Sequence, residues 1–275
     1  MTTEFSALRD GLFAGRTALI TGGGRGMGKS IALRFAELGA NVVVTGRHIE
    51  TLEETVDQIT GEGRQALAQT ADIRDTEQID ALVSAAVERF GRIDFLVNNA
   101  GGQFPARPSE ISDRGWRSVI DLNLNGTWNV LSRVGPLLTA QGFGAVVNIV
   151  HVYSFERGAP PFVHSGAARA GVVNMTRTLA NYWARHNVTI NALAPGSIAT
   201  EGLREKEYAQ LQTPDYENLQ VRDVPAHRLG EREEMAEICA FLCSPAARYI
   251  NGSVITADGG QSLGNWTDVW DMDTP

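Results

Sequence analysis

The chain has 275 residues, of which 43% are hydrophobic, and a formal net charge of -8 at pH 7. This length suits one α/β domain with a sizeable core, and the acidic balance argues against a nucleic-acid or anionic-membrane partner, since such surfaces are held by clustered lysine and arginine. Charged residues interrupt the N-terminus, and no apolar run is long enough to span a bilayer. We therefore expect a cytoplasmic protein.

Seven short apolar runs alternate with longer segments of helical periodicity. We predict a parallel, doubly wound α/β sheet with helices on both faces, in a single domain over residues 1–275. The predicted strands are Thr17–Ile20, Val42–Thr45, Ala66–Gln69, Phe95–Val97, Ala145–Val150, Thr189–Leu193 and Ser253–Thr256.

A glycine-rich segment follows the first predicted strand directly and opens a helix. Backbone N–H groups and the helix N-terminus would face a phosphate there, and side chains would block its approach. This predicts a Rossmann-type dinucleotide cradle, although glycine-rich turns also occur as plain loops. The candidate cofactor contacts in it are Thr21, Gly22, Gly24, Arg25, Gly26, Met27 and Gly28.

The end of the second strand indicates which dinucleotide is bound. An acidic side chain there would bind a free ribose 2′-hydroxyl, but the sequence has Arg47. Arg25 and Arg47 could both hold a 2′-phosphate, which favours NADP(H) over NAD(H). The alternative is that both are solvated surface arginines.

Three segments further along the chain complete the organisation. The polar connection at about 196–225 follows the sixth strand and is a candidate substrate lid. Cys239 and Cys243 lie four apart in a helical pattern without further Cys or His ligands, so we expect buried thiols and no metal. The tail 261–275 carries Trp266 and Trp270, which suit docking onto a neighbour.

Four motifs stand out along the chain: the glycine motif, Asp72-Ile73, Asn98-Asn99-Ala100-Gly101, and Pro195-Gly196 with Thr200. Together they resemble the short-chain dehydrogenase/reductase family over nearly the whole chain. The resemblance implies that Asp72 contacts the adenine, that Asn98 to Gly101 line the cofactor channel and that Pro195 to Thr200 cover the nicotinamide. It also implies a homotetramer. The further candidate cofactor contacts are Asp72, Ile73, Asn99, Ala100, Gly101, Arg169, Pro195, Gly196, Ile198 and Thr200.

The family's usual tyrosine and lysine are replaced by Ser165 and Arg169, and its serine position falls near His151. The segment Val163–Val172 resembles a narrower branch, the peroxisomal trans-2-enoyl-CoA reductases. The related 2,4-dienoyl-CoA reductases use a tyrosine and an asparagine that correspond to Tyr153 and Asn125. Asn123 occupies the family's usual asparagine position, and which of the two asparagines faces substrate stays open.

Conjugate reduction fits these residues. Hydride addition to an enoyl or dienoyl thioester sends negative charge to the thioester oxygen, which two neutral donors such as Tyr153 and Asn125 would stabilise. Arg169 keeps its proton and cannot relay one as a lysine can, but together with Ser165 it could hold the cofactor. We predict an NADPH-dependent reductase of a small-molecule thioester, for which an acyl-CoA is one candidate.

Two other functions stay open. One is a carbonyl reductase or alcohol dehydrogenase in which Tyr153, His151 or His164 is the acid. The other is a cofactor-binding protein without turnover. Each of these three residues also has a structural alternative. Tyr153 could be an aromatic residue that packs in its loop, and each histidine could make a structural hydrogen bond or a contact with the lid.

Overall fold

A seven-stranded parallel sheet forms the centre of the protein, whose computed structural model describes residues 8–200 and 216–264. Every predicted strand is present, with its bounds moved by no more than a few residues. The strands are β1 Thr17–Thr21, β2 Asn41–Gly46, β3 Ala66–Thr70, β4 Phe95–Asn98, β5 Gly144–Ile149, β6 Val188–Pro195 and β7 Val254–Ala257.

The strand order is β3-β2-β1-β4-β5-β6-β7, and each neighbouring pair is parallel. The chain order reverses between β1 and β4, where Ile20 pairs with Val97. Ligands of open α/β sheets bind at the carboxyl ends of the strands beside such a reversal. The prediction of a doubly wound parallel sheet is confirmed, and the sheet places Thr21 and Asn98 at that edge.

Helices cover both faces of the sheet. On one face, Phe35, Leu52 and Cys239 belong to one buried apolar cluster; on the other, Leu82 and Val134 belong to a second. The helices are α1 Gly26–Glu37, α2 Ile49–Gly61, α3 Thr76–Phe90, α4 Asp113–Ile120, α5 Gly126–Ala140, α6 Val163–Trp183, α7 Tyr216–Asp223 and α8 Arg232–Cys243.

A short π-helical segment, Asp121–Asn125, joins α4 to α5 without a loop. Its wider hydrogen-bonding pattern interrupts an otherwise α-helical run, a feature that often occurs at functional sites. Both asparagines considered above lie in this segment.

Cys239 and Cys243 are both buried free thiols on α8, and burial raises the pKa of the Cys239 thiol well above its ordinary value. Within the described ranges no helix is both long and apolar enough to cross a membrane. The middle half of the predicted lid, residues 201–215, and the tail from 265 onward, with Trp266 and Trp270, lie outside the described residues.

Candidate active site

The predicted phosphate cradle forms where β1 meets α1. The Thr21 hydroxyl oxygen accepts hydrogen bonds from the backbone N–H groups of Asn99 (3.0 Å) and Ala100 (2.9 Å), which ties the ends of β1 and β4 together. A Cβ built on Gly28 would lie 2.1 Å from the carbonyl oxygen of Gly22, so only glycine allows this close approach.

The first turn of α1 is open to a ligand. Its N-cap residue, Arg25, makes no side-chain capping hydrogen bond. The leading N–H groups of the helix therefore have no cap from this residue, and they carry the positive end of the helix dipole. This arrangement fits a pyrophosphate.

A cleft of about 460 Å³ extends from the cradle across the ends of β2 and β3. Arg25 and Arg47 line it, both are exposed, and neither forms an ion pair or side-chain hydrogen bond with another described residue. The Asp72 carboxylate, by contrast, is held by Arg74 (Nε to Oδ1, 2.9 Å), whose hydrogen bond lowers the pKa of Asp72. Ile73, Gly24, Ala100 and Gly101 also line the cleft.

A second cavity of about 330 Å³ adjoins the first at Gly101. It lies over the ends of β4, β5 and β6 and collects five of the seven predicted catalytic residues: Asn123, His151, Tyr153, Ser165 and Arg169. Its wall also includes the predicted cofactor contacts Met27, Asn99, Pro195, Gly196, Ile198 and Thr200. We call it the catalytic cavity.

His151 links two serine hydroxyls within this cavity wall. Its Nε2 lies 3.0 Å from Ser165 Oγ and its Nδ1 lies 3.2 Å from Ser154 Oγ. Burial and the nearby Arg169 guanidinium lower the pKa of His151 to about 3. The ring is therefore neutral near pH 7, and a role for His151 as the acid stays a prediction.

Arg169 is a buried cation in the wall of the cavity. Its Nη1 donates to the carbonyl oxygen of Ile149, while its buried Nε has no hydrogen-bond partner among the described residues. Burial lowers the pKa of Arg169 to about 10, so the guanidinium stays charged at neutral pH. A buried donor without an acceptor fits a ligand oxygen such as a ribose hydroxyl.

Tyr153 is half-buried, and its ring meets the His151 ring edge-on with centroids 5.7 Å apart. Its hydroxyl oxygen accepts a hydrogen bond from Nε2 of Gln261 (3.1 Å). Sequence reasoning missed both Gln261 and Ser154. The available signal for Gln261 was its position just beyond β7, where strand ends gather around the ligand site.

The two asparagines of the π-helical segment face in different directions. Asn123 is buried: its amide donates to the carbonyl oxygens of Gly102 (2.8 Å) and Val119 (2.9 Å), which uses both N–H groups. Asn125 is exposed and donates to Asp121 (2.8 Å). Residues two apart in a helix point to nearly opposite sides, so Asn123 facing inward turns Asn125 away from the cavity. The expectation that Asn125 faces the substrate is wrong for this structure.

His164 also does not reach the catalytic cavity. The side chain is fully buried, its ring packs edge-on against Phe104 at 4.6 Å, and its Nδ1 accepts from the backbone N–H of Ser165 (2.9 Å). Burial lowers the pKa of His164. Its place at the first turn of α6 corrects the expectation of a substrate acid and supports the structural alternative.

A phosphate cradle, an adjoining polar cavity and a doubly wound sheet together define a dinucleotide-dependent oxidoreductase. Residues 22–262 match the family model described as Enoyl-(Acyl carrier protein) reductase. The chain belongs to the short-chain dehydrogenase/reductase family, whose members use NAD or NADP as the nicotinamide cofactor.

Three individual relatives show the range of similarity. The chain is 42% identical over 255 residues to a probable 2,4-dienoyl-CoA reductase of Bacillus subtilis (strain 168), covering 90% of this chain and 97% of that protein. It is 36% identical over 250 residues to 2-dehydro-3-deoxy-D-gluconate 5-dehydrogenase of Escherichia coli (strain K12), covering 90% and 95%. The crystal structure of a short chain dehydrogenase from Bacillus anthracis superposes with a TM-score of 0.81 at 40% identity, covering 92% and 99%.

Proposed function

We propose that the protein is an NADPH-dependent reductase of conjugated enoyl or dienoyl thioesters. The observation that carries this proposal is that Tyr153 lines the catalytic cavity together with Arg169. Arg169 is buried and stands at the position where the family usually has a lysine. A tyrosine that acts as a neutral hydrogen-bond donor needs no proton relay, because it can stabilise an enolate oxygen without losing its proton.

The choice of NADPH rests on Arg25 and Arg47 in the cleft of about 460 Å³ beside the cradle, which we call the adenosine cleft. The guanidinium groups of Arg25 and Arg47 are exposed and lack ion pairs with other described residues, so they are available to a 2′-phosphate. The three residues that follow β2, Arg47, His48 and Ile49, carry no carboxylate that would repel that phosphate. Bidentate contacts to phosphate are the interaction that arginine makes best.

The cofactor's contribution would be a hydride delivered to the far end of the conjugated system, with negative charge developing on the thioester oxygen. Tyr153 and Ser165 would donate hydrogen bonds to that oxygen. Ser165 is free to donate when Nε2 of neutral His151 supplies the hydrogen between them. Arg169 would hold ribose hydroxyls through its unpartnered Nε and add a positive charge beneath the reacting groups.

The similarity to a probable 2,4-dienoyl-CoA reductase supports the thioester substrate. A second candidate, a carbonyl reductase or alcohol dehydrogenase, is favoured by the Ser154–His151–Ser165 chain of hydrogen bonds. Such a chain could pass a proton to an alkoxide while His151 exchanges tautomers. The similarity to a gluconate-derivative dehydrogenase is consistent with that second candidate.

A substrate panel separates the candidates. We expect NADPH oxidation with crotonyl-CoA or a 2,4-dienoyl-CoA and none with ketones or aldehydes of similar size, with the reduced thioester identified by mass spectrometry. The opposite pattern would favour the second candidate. Tight NADPH binding without turnover of any panel member would support a binding protein instead.

We also propose a homotetramer. Exposed aromatic side chains lie on three successive helices, Trp116 on α4, Trp128 on α5 and Tyr182 on α6. Large apolar groups on neighbouring helices suit pairing across twofold axes. Light scattering after size-exclusion chromatography tests this assembly. The single domain over residues 1–275 and the lid at 196–225 stay predictions.

A further inference from the structure

We propose that Gln261 is a positioning residue that sets the direction of the Tyr153 hydroxyl. The inference rests on the proposed function, because it explains how Tyr153 donates to the substrate oxygen. It goes beyond that function because it assigns the orientation of the Tyr153 hydroxyl to a residue in the segment that follows β7, far from Tyr153 in sequence.

The orientation of the Gln261 amide is fixed by its backbone neighbour. The N–H of Ser197 donates to Oε1 of Gln261 (2.9 Å). A backbone N–H can only donate, so the atom that faces it must be the amide oxygen. The amide nitrogen must then face the other way, toward Tyr153.

The amide nitrogen of Gln261, Nε2, carries two hydrogens and lies near three oxygen atoms. Nε2 lies 3.1 Å from Tyr153 Oη, 3.1 Å from Ser197 Oγ and 3.4 Å from an Asp223 carboxylate oxygen. A hydrogen donated to Tyr153 makes the phenol oxygen an acceptor. The phenol's own hydrogen therefore cannot point at Nε2, and Tyr153 lines the catalytic cavity.

Gln261 is held rigidly enough for this task. Its side chain is buried, with 1% of the residue exposed, and its backbone carbonyl oxygen accepts from Nη1 of Arg157 (3.0 Å). Arg157 also pairs with Asp223 on α7 (3.4 Å). Gln261 therefore joins the segment after β5, the start of the lid segment and α7, the three parts of the chain that face the substrate side of the cavity.

Reversing the hydrogen bond tests the inference. In Gln261→Glu the introduced carboxylate accepts instead of donating, so it captures the Tyr153 hydrogen whenever it is ionised. We expect kcat of this variant to fall about tenfold or more as pH rises through the titration of that carboxylate, and to recover at lower pH. Gln261→Met, of similar volume, should lose activity by a smaller factor and show no added pH limb. NADPH affinity should stay at the wild-type value in both.

Tyr153→Phe supplies the matched control. Adding Gln261→Glu to Tyr153→Phe should cost no further activity and create no pH limb, because the hydroxyl on which Gln261 acts is absent. The inference is overturned if Gln261→Glu keeps the wild-type pH profile, or if its effect is the same in the Tyr153→Phe background. A wild-type protein that reduces only ketones or aldehydes refutes the proposed function instead, and the same variants assayed on those substrates still test Gln261.

Discussion

The guanidinium group of Arg169 packs directly against Gly101 at the junction of the two cavities. A Cβ built on Gly101 would lie 2.1 Å from Nη2 of Arg169 and 2.6 Å from Oδ1 of Asn123. The buried guanidinium therefore occupies the space that any side chain at 101 would fill. This contact joins the cofactor channel to the catalytic cavity.

Gly101→Ala should accordingly impair both stability and activity. The added methyl group must displace a buried cation or its neighbour, an overpacking change that costs about 1–3 kcal/mol. We expect a fall in Tm of about 2–4 °C per kcal/mol, measured by differential scanning calorimetry, with weaker NADPH binding.

Gly102→Ala is the matched control for that change. A Cβ there would meet only the flexible end of Leu122, at 3.3 Å. Near-wild-type NADPH binding in Gly102→Ala beside a defect in Gly101→Ala supports the packing argument. Equal behaviour of the two variants contradicts it.

The two arginines of the adenosine cleft should decide coenzyme preference. We expect Arg25→Ala and Arg47→Ala each to weaken NADPH binding by about tenfold, the scale of one lost charge-assisted hydrogen bond, and to leave NADH binding unchanged. Isothermal titration calorimetry with both coenzymes measures this. Arg64→Ala, an exposed arginine at the opposite end of β3, is the control. A wild-type preference for NADH, or equal loss for both coenzymes, argues against a 2′-phosphate site.

Tyr153→Phe should lower kcat by about 10²–10³, the usual effect of removing one donor from a developing oxyanion, while the Kd of NADPH stays unchanged. Tyr249→Phe, at a fully exposed tyrosine, should leave both quantities as they are. Steady-state kinetics with the enoyl and dienoyl thioesters and a direct NADPH-binding assay separate the two effects. An unaltered kcat in Tyr153→Phe would exclude the phenol from the mechanism.

His151 should make the protein sensitive to mild acid. Its folded-state pKa of about 3 lies below the ordinary value of 6.5, so the unfolded chain takes up a proton that the folded chain refuses. The stability is full above pH 6.5 and declines as pH falls toward 3. For this single group the loss at pH 5 is about 2 kcal/mol.

Urea unfolding at pH 7 and pH 5 measures that loss. We expect His151→Asn to show a smaller decrease in the free energy of unfolding between the two pH values than wild type. His227→Asn is the control, because His227 is exposed and its backbone φ of 53° suits asparagine. The same decrease in His151→Asn and wild type would show that the His151 imidazole does not contribute.

The sheet and the cofactor cradle could be predicted from sequence because local patterns determine them. Alternating apolar runs predict strands, and the glycine spacing around Gly22 and Gly28 follows from contacts within one turn. The catalytic cavity could be predicted only in part. Some of its residues come from the ends of separate strands. Others lie on helices, and the direction in which their side chains point depends on the helix geometry.

Asn125 and Gln261 illustrate the two kinds of failure. A motif match assigned Asn125 to the substrate, but the π-helical segment and the inward-facing Asn123 turn it outward. Gln261 belongs to no motif, and its contact with Tyr153 joins residues 108 positions apart. Sequence periodicity carries no information about a contact that the tertiary fold alone creates.

The burial of both cysteines has a practical consequence. Cys239 and Cys243 are buried on α8, and a thiol with a raised pKa reacts slowly with alkylating reagents because the thiolate is the reactive form. A fluorophore maleimide should therefore spare the native chain. A single cysteine introduced at a solvent-facing position could be labelled without first removing either native one, which opens a direct route to fluorescence measurements on the intact enzyme.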